Sequence, residues 1–204
     1  ACNEPDCVLV ITPGAKGSRA TLYIARRRNH ETHEFYTDAR YGELWVGVRR
    51  GVEEAAVYFG IDTAPLEYLA KDLSSLAATD VVVLRGFDSM VDSLIEAHDA
   101  DNDLAHTLSE MRLVKDDFEV AQLQVAIDAT IRGFEDVVRA LPVAVKRGER
   151  VIEGIFGLRA RVEGNDVGYS TIAASGANAT VLHWIENDGE VRDGDLLLLD
   201  AGIE

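Results

Sequence analysis

Proline is scarce in this 204-residue chain, with four residues, and cysteine is scarcer, with two. Cys2 and Cys7 have no further Cys or His pair at ligand spacing, which excludes a disulfide scaffold and a zinc-finger pattern. They read as two reduced structural thiols. No apolar run approaches the ~18–20 residues that a membrane-spanning helix requires. No signal-peptide pattern is visible, so the cytoplasm is the expected compartment. Positive charge is short as well: 20 Lys and Arg stand against 36 Asp and Glu, a formal net charge of -16. Such a field repels phosphate backbones and argues against a nucleic-acid partner. The basic cluster Arg26-Arg27-Arg28 is too small to reverse it and reads as an exposed strand end. No G-x-G-x-x-G loop follows a strand, so the dinucleotide-binding fingerprint is missing too. The chain opens at Ala1 without Met and stops at Glu204, four residues after an apolar run ends in Asp200. The expectation is a fragment cut at both ends.

What is present is an ordinary globular composition, 47% hydrophobic and 27% charged, enough for one large or two small cores. Residues 7–12 and 20–24 are β-type runs around a Pro/Gly turn and predict a hairpin or adjacent strands. The His30-Glu31-Thr32-His33-Glu34 string has its two His three apart, where a helical zinc site wants four, and reads as a solvated loop. Helices are expected over 51–58, over 64–76 with Leu66, Leu69, Leu73 and Leu76 on one face, and over 89–98. A buried strand is expected over 80–84. The acidic stretch Asp99–Asp103 reads as an inter-domain link, giving domains 1–103 and 104–204. Asp116 and Glu119 form a D-x-x-E capping box that opens a long helix. Its expected core face is Val120, Leu123, Ile127, Ile131, Phe134, Val138 and Leu141, and Pro142 is expected to end it. A further helix over 149–162 should bury Val151, Ile152, Ile155 and Leu158 and stop at Gly164-Asn165.

After Gly168 the texture changes to small residues, which let backbone approach closely. Val181–Trp184 carries His183 inside an apolar stretch, and Leu196–Leu199 is an apolar strand that delivers Asp200. A carboxylate at the end of a buried strand must be hydrogen-bonded, ion-paired or metal-bound. From the residues alone, a backbone-capping Asp200 and a satisfied core His183 stay open beside catalytic or metal roles. A meander would bring the two onto one sheet.

Tyr169–Ile172, Ser175–Asn178, Leu182-His183-Trp184, Asn187, Gly194-Asp195-Leu196 and Leu199–Glu204 occur in an order that resembles the first half of a pita-bread metallopeptidase. Xaa-Pro aminopeptidases (aminopeptidase P) are nearest and prolidases next. Arg112–Lys115 with Glu119 resembles the opening of their catalytic domain, and Gly42–Gly47 resembles their creatinase-type N-terminal domain. The fold this implies is an α/β N-terminal domain with a mixed sheet, then the first half of an α+β pita-bread domain. The resemblance implies two divalent metals, usually manganese (Mn2+), held by two Asp, one His and two Glu. Asp200 matches the first of these ligands, and the others would lie beyond Glu204. His183 matches a histidine at the rim that contacts substrate and could stabilise the oxyanion. The implied substrate is a peptide with proline second, and the implied assembly a homo-oligomer. The chain by itself is expected to be inactive. Competing readings are a prolidase or creatinase-like hydrolase, a metal-free relative that binds peptide or protein, and an unrelated α/β protein. His183 and Asp200 together favour an enzyme.

Overall fold

The computed structural model describes residues 4–14, 17–76 and 81–204. It divides into two compact units, Ala1–Arg112 and Leu113–Glu204. In the first unit, β1 (Val8–Gly14) and β2 (Gly17–Ile24) form an antiparallel hairpin, with Val8 opposite Tyr23 and Gly14 opposite Gly17. A third strand, β3 (Asp62–Pro65), runs parallel to β2, which makes the sheet mixed in the order β1-β2-β3. Successive β2 side chains point to opposite faces, and each face has its own core. Tyr23 packs with Leu69, Leu73, Val83, Val91 and Ile95. Leu22 and Ile24 pack with Ala55, and half-buried Cys7 lies against them; Cys2 lies outside the described residues.

Six helices complete the unit among the described residues: α1 (Glu34–Thr37), α2 (Glu43–Val46), α3 (Val52–Phe59), α4 (Leu69–Ser74), α5 (Ser89–Leu94) and α6 (Ala100–Met111). The helix expected over 64–76 begins later, because Ala64 and Pro65 belong to β3 and Leu66–Tyr68 form a 3-10 turn. Pro65 is extended, with φ −61° and ψ 135°, and a proline disfavours the helical region for the residue before it. The strand expected over 80–84 is corrected as well. Asp80 lies outside the described residues, and 81–84 joins no ladder. The Val83 amide is instead taken by the Asp101 carboxylate at 2.8 Å. The acidic stretch Asp99–Asp103 opens α6, and Asp101 is buried there. The basic cluster at the end of β2 is paired, Arg26 with Glu67 and Arg27 with Glu43.

The second unit is a helical hairpin over a two-stranded sheet. Helix α7 (Asp117–Arg147) opens on the expected box: the Asp116 carboxylate accepts from Glu119 N–H, and the Glu119 carboxylate accepts from Asp116 N–H. Pro142 does not end it; it sits inside the helix. Its missing N–H orphans the carbonyl of Val138, a residue on the exposed side where water can bond it. Gly148 then reverses the chain at φ +89°, and α8 (Arg150–Glu163) returns antiparallel. Arg132 pairs with Glu163 at one end, and Arg159 with Asp136 one turn along.

The face that α7 buries is not the expected one. Ala129, Gly133, Val137 and Ala144 are buried, whereas Leu123, Ile127, Ile131 and Val138 are half exposed or more. The reason is distance between helix axes. A Cβ on Gly133 would come within 2.7 Å of the Phe156 ring, so the pair closes only over small residues. In α8 the buried residues are Ile152, Phe156 and Ala160, with Val151 and Ile155 partly buried and Leu158 exposed. This hairpin covers β4 (Ile172–Ser175), which pairs antiparallel with β5 (Leu197–Asp200), Ile172 opposite Asp200 and Ser175 opposite Leu197. Ala173, Val191, Ala201 and Ile203 complete the core.

Candidate active site

Asp200 is the last residue of β5. The strand is not buried on both faces, as its apolar run suggested. Leu197 and Leu199 pack inward, and Leu198 and Asp200 point to the uncovered face. The Asp200 carboxylate therefore stays exposed, but it is oriented: the Tyr169 hydroxyl donates to Oδ1. That bond, with some burial, raises the Tyr169 phenol above its ordinary pKa. The Tyr169 ring reaches Asp200 across Gly202, where a Cβ would stand 3.2 Å from the ring.

His183 is placed differently from the expected meander. Val181–Trp184 is not a strand; Gly176–Thr180 form a 3-10 turn and the chain then loops. His183 lies exposed on that loop, and its carbonyl accepts from Ile185 N–H at 3.0 Å. The next residue, Trp184, is anchored. Its indole Nε1–H donates to Glu149 Oε2 at 2.8 Å.

Glu149 is the residue that sequence reasoning missed. It caps the start of α8 and its side chain is 0% exposed. Oε1 accepts from Ser175 N–H at 2.7 Å and from Asn178 Nδ2 at 3.1 Å. Oε2 accepts from Trp184 Nε1 and from Gly189 N–H at 2.8 Å. Burial pushes this carboxyl up, but the donors from Ser175, Trp184, Asn178 and Gly189 outweigh it and hold the group below its ordinary value. Gly189 returns the contact, since its carbonyl accepts from Glu149 N–H at 3.0 Å. Only glycine fits at 189, because a Cβ there would overlap Asn178 Nδ2 and stand 2.9 Å from both Glu149 oxygens. The available signal was one glutamate among the charges Lys146, Arg147 and Arg150 at a helix start, and nothing local told it from a solvated one. Asn187 ties the far end of the loop. It is 0% exposed at φ +48°, accepts from Ala173 N–H and donates to the Thr171 carbonyl, both at 2.9 Å.

A strand-end carboxylate aimed by a phenol suits one bond to a hard divalent cation. It does not make a site alone. Among the described residues, no group of three or more His, Cys, Asp or Glu side chains is placed to hold a metal, the His30–Glu34 string included. No helix of the described residues is long and apolar enough to cross a membrane.

Two family profiles account for most of the sequence: the aminopeptidase P N-terminal domain over residues 1–84, and metallopeptidase family M24 over residues 121–204. The chain thus pairs an aminopeptidase P-type N-terminal domain with the beginning of a pita-bread domain. Its relatives narrow the class. Xaa-Pro aminopeptidase 1 of Streptomyces coelicolor is 50% identical over 98% of this chain and 41% of its own length. Xaa-Pro aminopeptidase 2 of the same organism is 43% identical over 98% of this chain and 43% of its own. The structure of aminopeptidase P from E. coli superposes with a TM-score of 0.75 at 26% identity, covering 98% of this chain and 47% of that one. The chain thus spans less than half the length of the relatives it matches.

Proposed function

We propose that this chain supplies the N-terminal domain and the first metal-binding strand of a metal-dependent aminopeptidase that releases the N-terminal residue from peptides with proline second. The observation that carries the reading is Asp200 at the end of β5, held by Tyr169, inside the segment that matches family M24. Asp200 is the proposed ligand, with Mn2+ as the proposed metal of a two-ion centre. When bound, such ions supply Lewis acidity and an activated water. His183 is the proposed catalytic residue of this chain. Its ring N–H would hydrogen-bond the oxygen of the scissile carbonyl as negative charge develops there, a contact stronger in the transition state than in the bound substrate. The proposed domain limits follow the acidic stretch at Asp99–Asp103, with 1–103 as the N-terminal domain; the two compact units meet at Arg112. The exposed Leu44, Trp45, Val46 and Val48 support a homo-oligomer, and the cytoplasm is the proposed compartment.

In the full-length enzyme, His183→Ala should lower kcat on a Gly-Pro-type peptide by about 100-fold and leave Mn2+ stoichiometry unchanged. Asp200→Ala should lower the metal content itself. Loss of metal from His183→Ala would show that the residue is a ligand. The 204-residue chain by itself offers one carboxylate, so it should bind Mn2+ weakly and be inert. Clear turnover by the purified chain would refute that expectation.

A further inference from the structure

Among the described residues, Asp101 and Glu149 are the buried acidic residues, and Glu149 is the one that bonds beside His183. Its four donors come from four places: the end of β4, the 3-10 turn, the residue after His183, and the turn at Gly189. One carboxylate therefore closes both ends of the 176–189 loop and grips it in the middle. Ser175, at one of those ends, pairs with Leu197 of β5, the strand whose other end is Asp200. A continuous path of bonds runs from Asp200 along the sheet to Ser175, through Glu149 and on to Trp184.

We propose that Glu149 is a positioning residue: its carboxylate sets where the His183 loop stands relative to the β4–β5 sheet, and thereby where the imidazole meets substrate. The inference rests on the reading of His183 given above. The chemistry of the partners explains why a carboxylate is needed. Every partner is a donor, and each oxygen serves two of them. A carboxylate only accepts, whereas a glutamine must turn its amide nitrogen toward one pair of donors. Glu149→Gln therefore breaks two bonds at the Trp184 and Gly189 side, or at least the Ser175 bond at the other, at nearly constant volume. Glu149→Asp keeps the acceptor character and loses reach by one methylene. A mobile imidazole would still bind substrate but would seldom be in register with the oxyanion, so the loss belongs in kcat.

The test is a double-mutant cycle in the full-length, metal-loaded enzyme, with a Gly-Pro-type peptide. Glu149→Gln should lower kcat by about 10- to 100-fold, with KM and metal content near wild type, and Glu149→Asp should recover part of the loss. In a His183→Ala background the same change should have almost no further effect, because Glu149 acts through His183. An equal loss with and without His183 overturns the proposal. A second readout is the 19F resonance of Trp184 in 5-fluorotryptophan-labelled enzyme, assigned by its disappearance in Trp184→Phe. It should shift and broaden in Glu149→Gln, and an unmoved resonance overturns the proposal. If Glu149→Gln does not fold, Glu149→Asp carries the same cycle. If His183→Ala leaves kcat intact, the reading of His183 fails, and the Trp184 resonance then decides whether Glu149 holds the loop.

Discussion

Asp101 and Glu149 are the buried acidic residues among the described ones, one in each unit, and they are held by different means. Asp101 meets a cation. Arg85 Nε donates to it at 2.7 Å, beside the Val83 amide, and the rest of the guanidinium bonds the carbonyls of Asp92, Ile95 and Glu96. Glu149 is satisfied by four uncharged donors, from residues 26 to 40 positions away in the chain. The first arrangement recurs across its unit, in Arg49 with Glu4 and Arg27 with Glu43. The second stands in a unit whose helices close over alanine and glycine. A paired charge ties two elements by attraction. A carboxylate among neutral donors fixes each donor in direction, which is what the proposed role of the His183 loop requires.

The largest expected effect tests that contrast directly. Glu149→Ala leaves four donors, one buried and three part-buried, without their acceptor, each costing ~1–3 kcal/mol where water does not replace it. Denaturant unfolding followed by the near-ultraviolet signal of Trp184 should show a loss of at least about 3 kcal/mol. A loss below about 1 kcal/mol would mean that water substitutes freely and that the cluster holds little. Next in size is Gly133→Ala. Its methyl would stand 2.7 Å from Phe156, whose side chain is 0% exposed and has no room to withdraw. The expected cost is about 1–3 kcal/mol, read as a lower melting temperature. An unchanged melt would show that the second unit does not depend on this close approach.

A smaller, pH-dependent effect belongs to Asp101. The Val83 amide and the Arg85 guanidinium hold its carboxyl down at about 2. An unfolded aspartate titrates near 3.9. Because the folded value is the lower one, the native state binds fewer protons in this window. The stabilisation is thus complete above about pH 4 and drains away as the pH falls toward 2. The stability difference between wild type and Asp101→Asn should shrink over that interval. A difference that stays constant from pH 5 to pH 2 would mean that the charge contributes nothing and the hydrogen bonds everything.

How far such features are legible in sequence differs between the units for physical reasons. The hairpin, the capping box at Asp116 and Glu119, and the glycine stop of α8 are local signals, and each appears where the spacing put it. The buried face of α7 is not local. A hydropathy pattern favours Leu123, Ile127 and Ile131, but helix contact is governed by how closely backbones approach, and that selects Ala129, Gly133 and Ala144. Asp99–Asp103 looked like a solvated break because its composition is acidic, while the arginine that answers Asp101 lies 16 residues away. Asp200 and His183 are proposed from ordered motifs. Glu149 escaped because all its partners are distant in sequence and none carries a charge: two backbone amides, an indole and a carboxamide.

The smallest effect is the most specific to the comparison. Salt screens an ion pair and leaves bonds between a carboxylate and neutral donors nearly untouched. Raising ionic strength from about 0.05 to about 1 M shortens the screening length from roughly 14 to about 3 Å. The cost of Asp101→Asn should therefore fall with salt, modestly because Asp101 is only 6% exposed. The cost of Glu149→Ala should stay level, since what it removes is four directed acceptor bonds. If both costs fall together, a cation contributes at Glu149 as well, and the two carboxylates are one kind of device. If neither falls, burial shields Asp101 from mobile ions, and the contrast between the units lies in geometry alone.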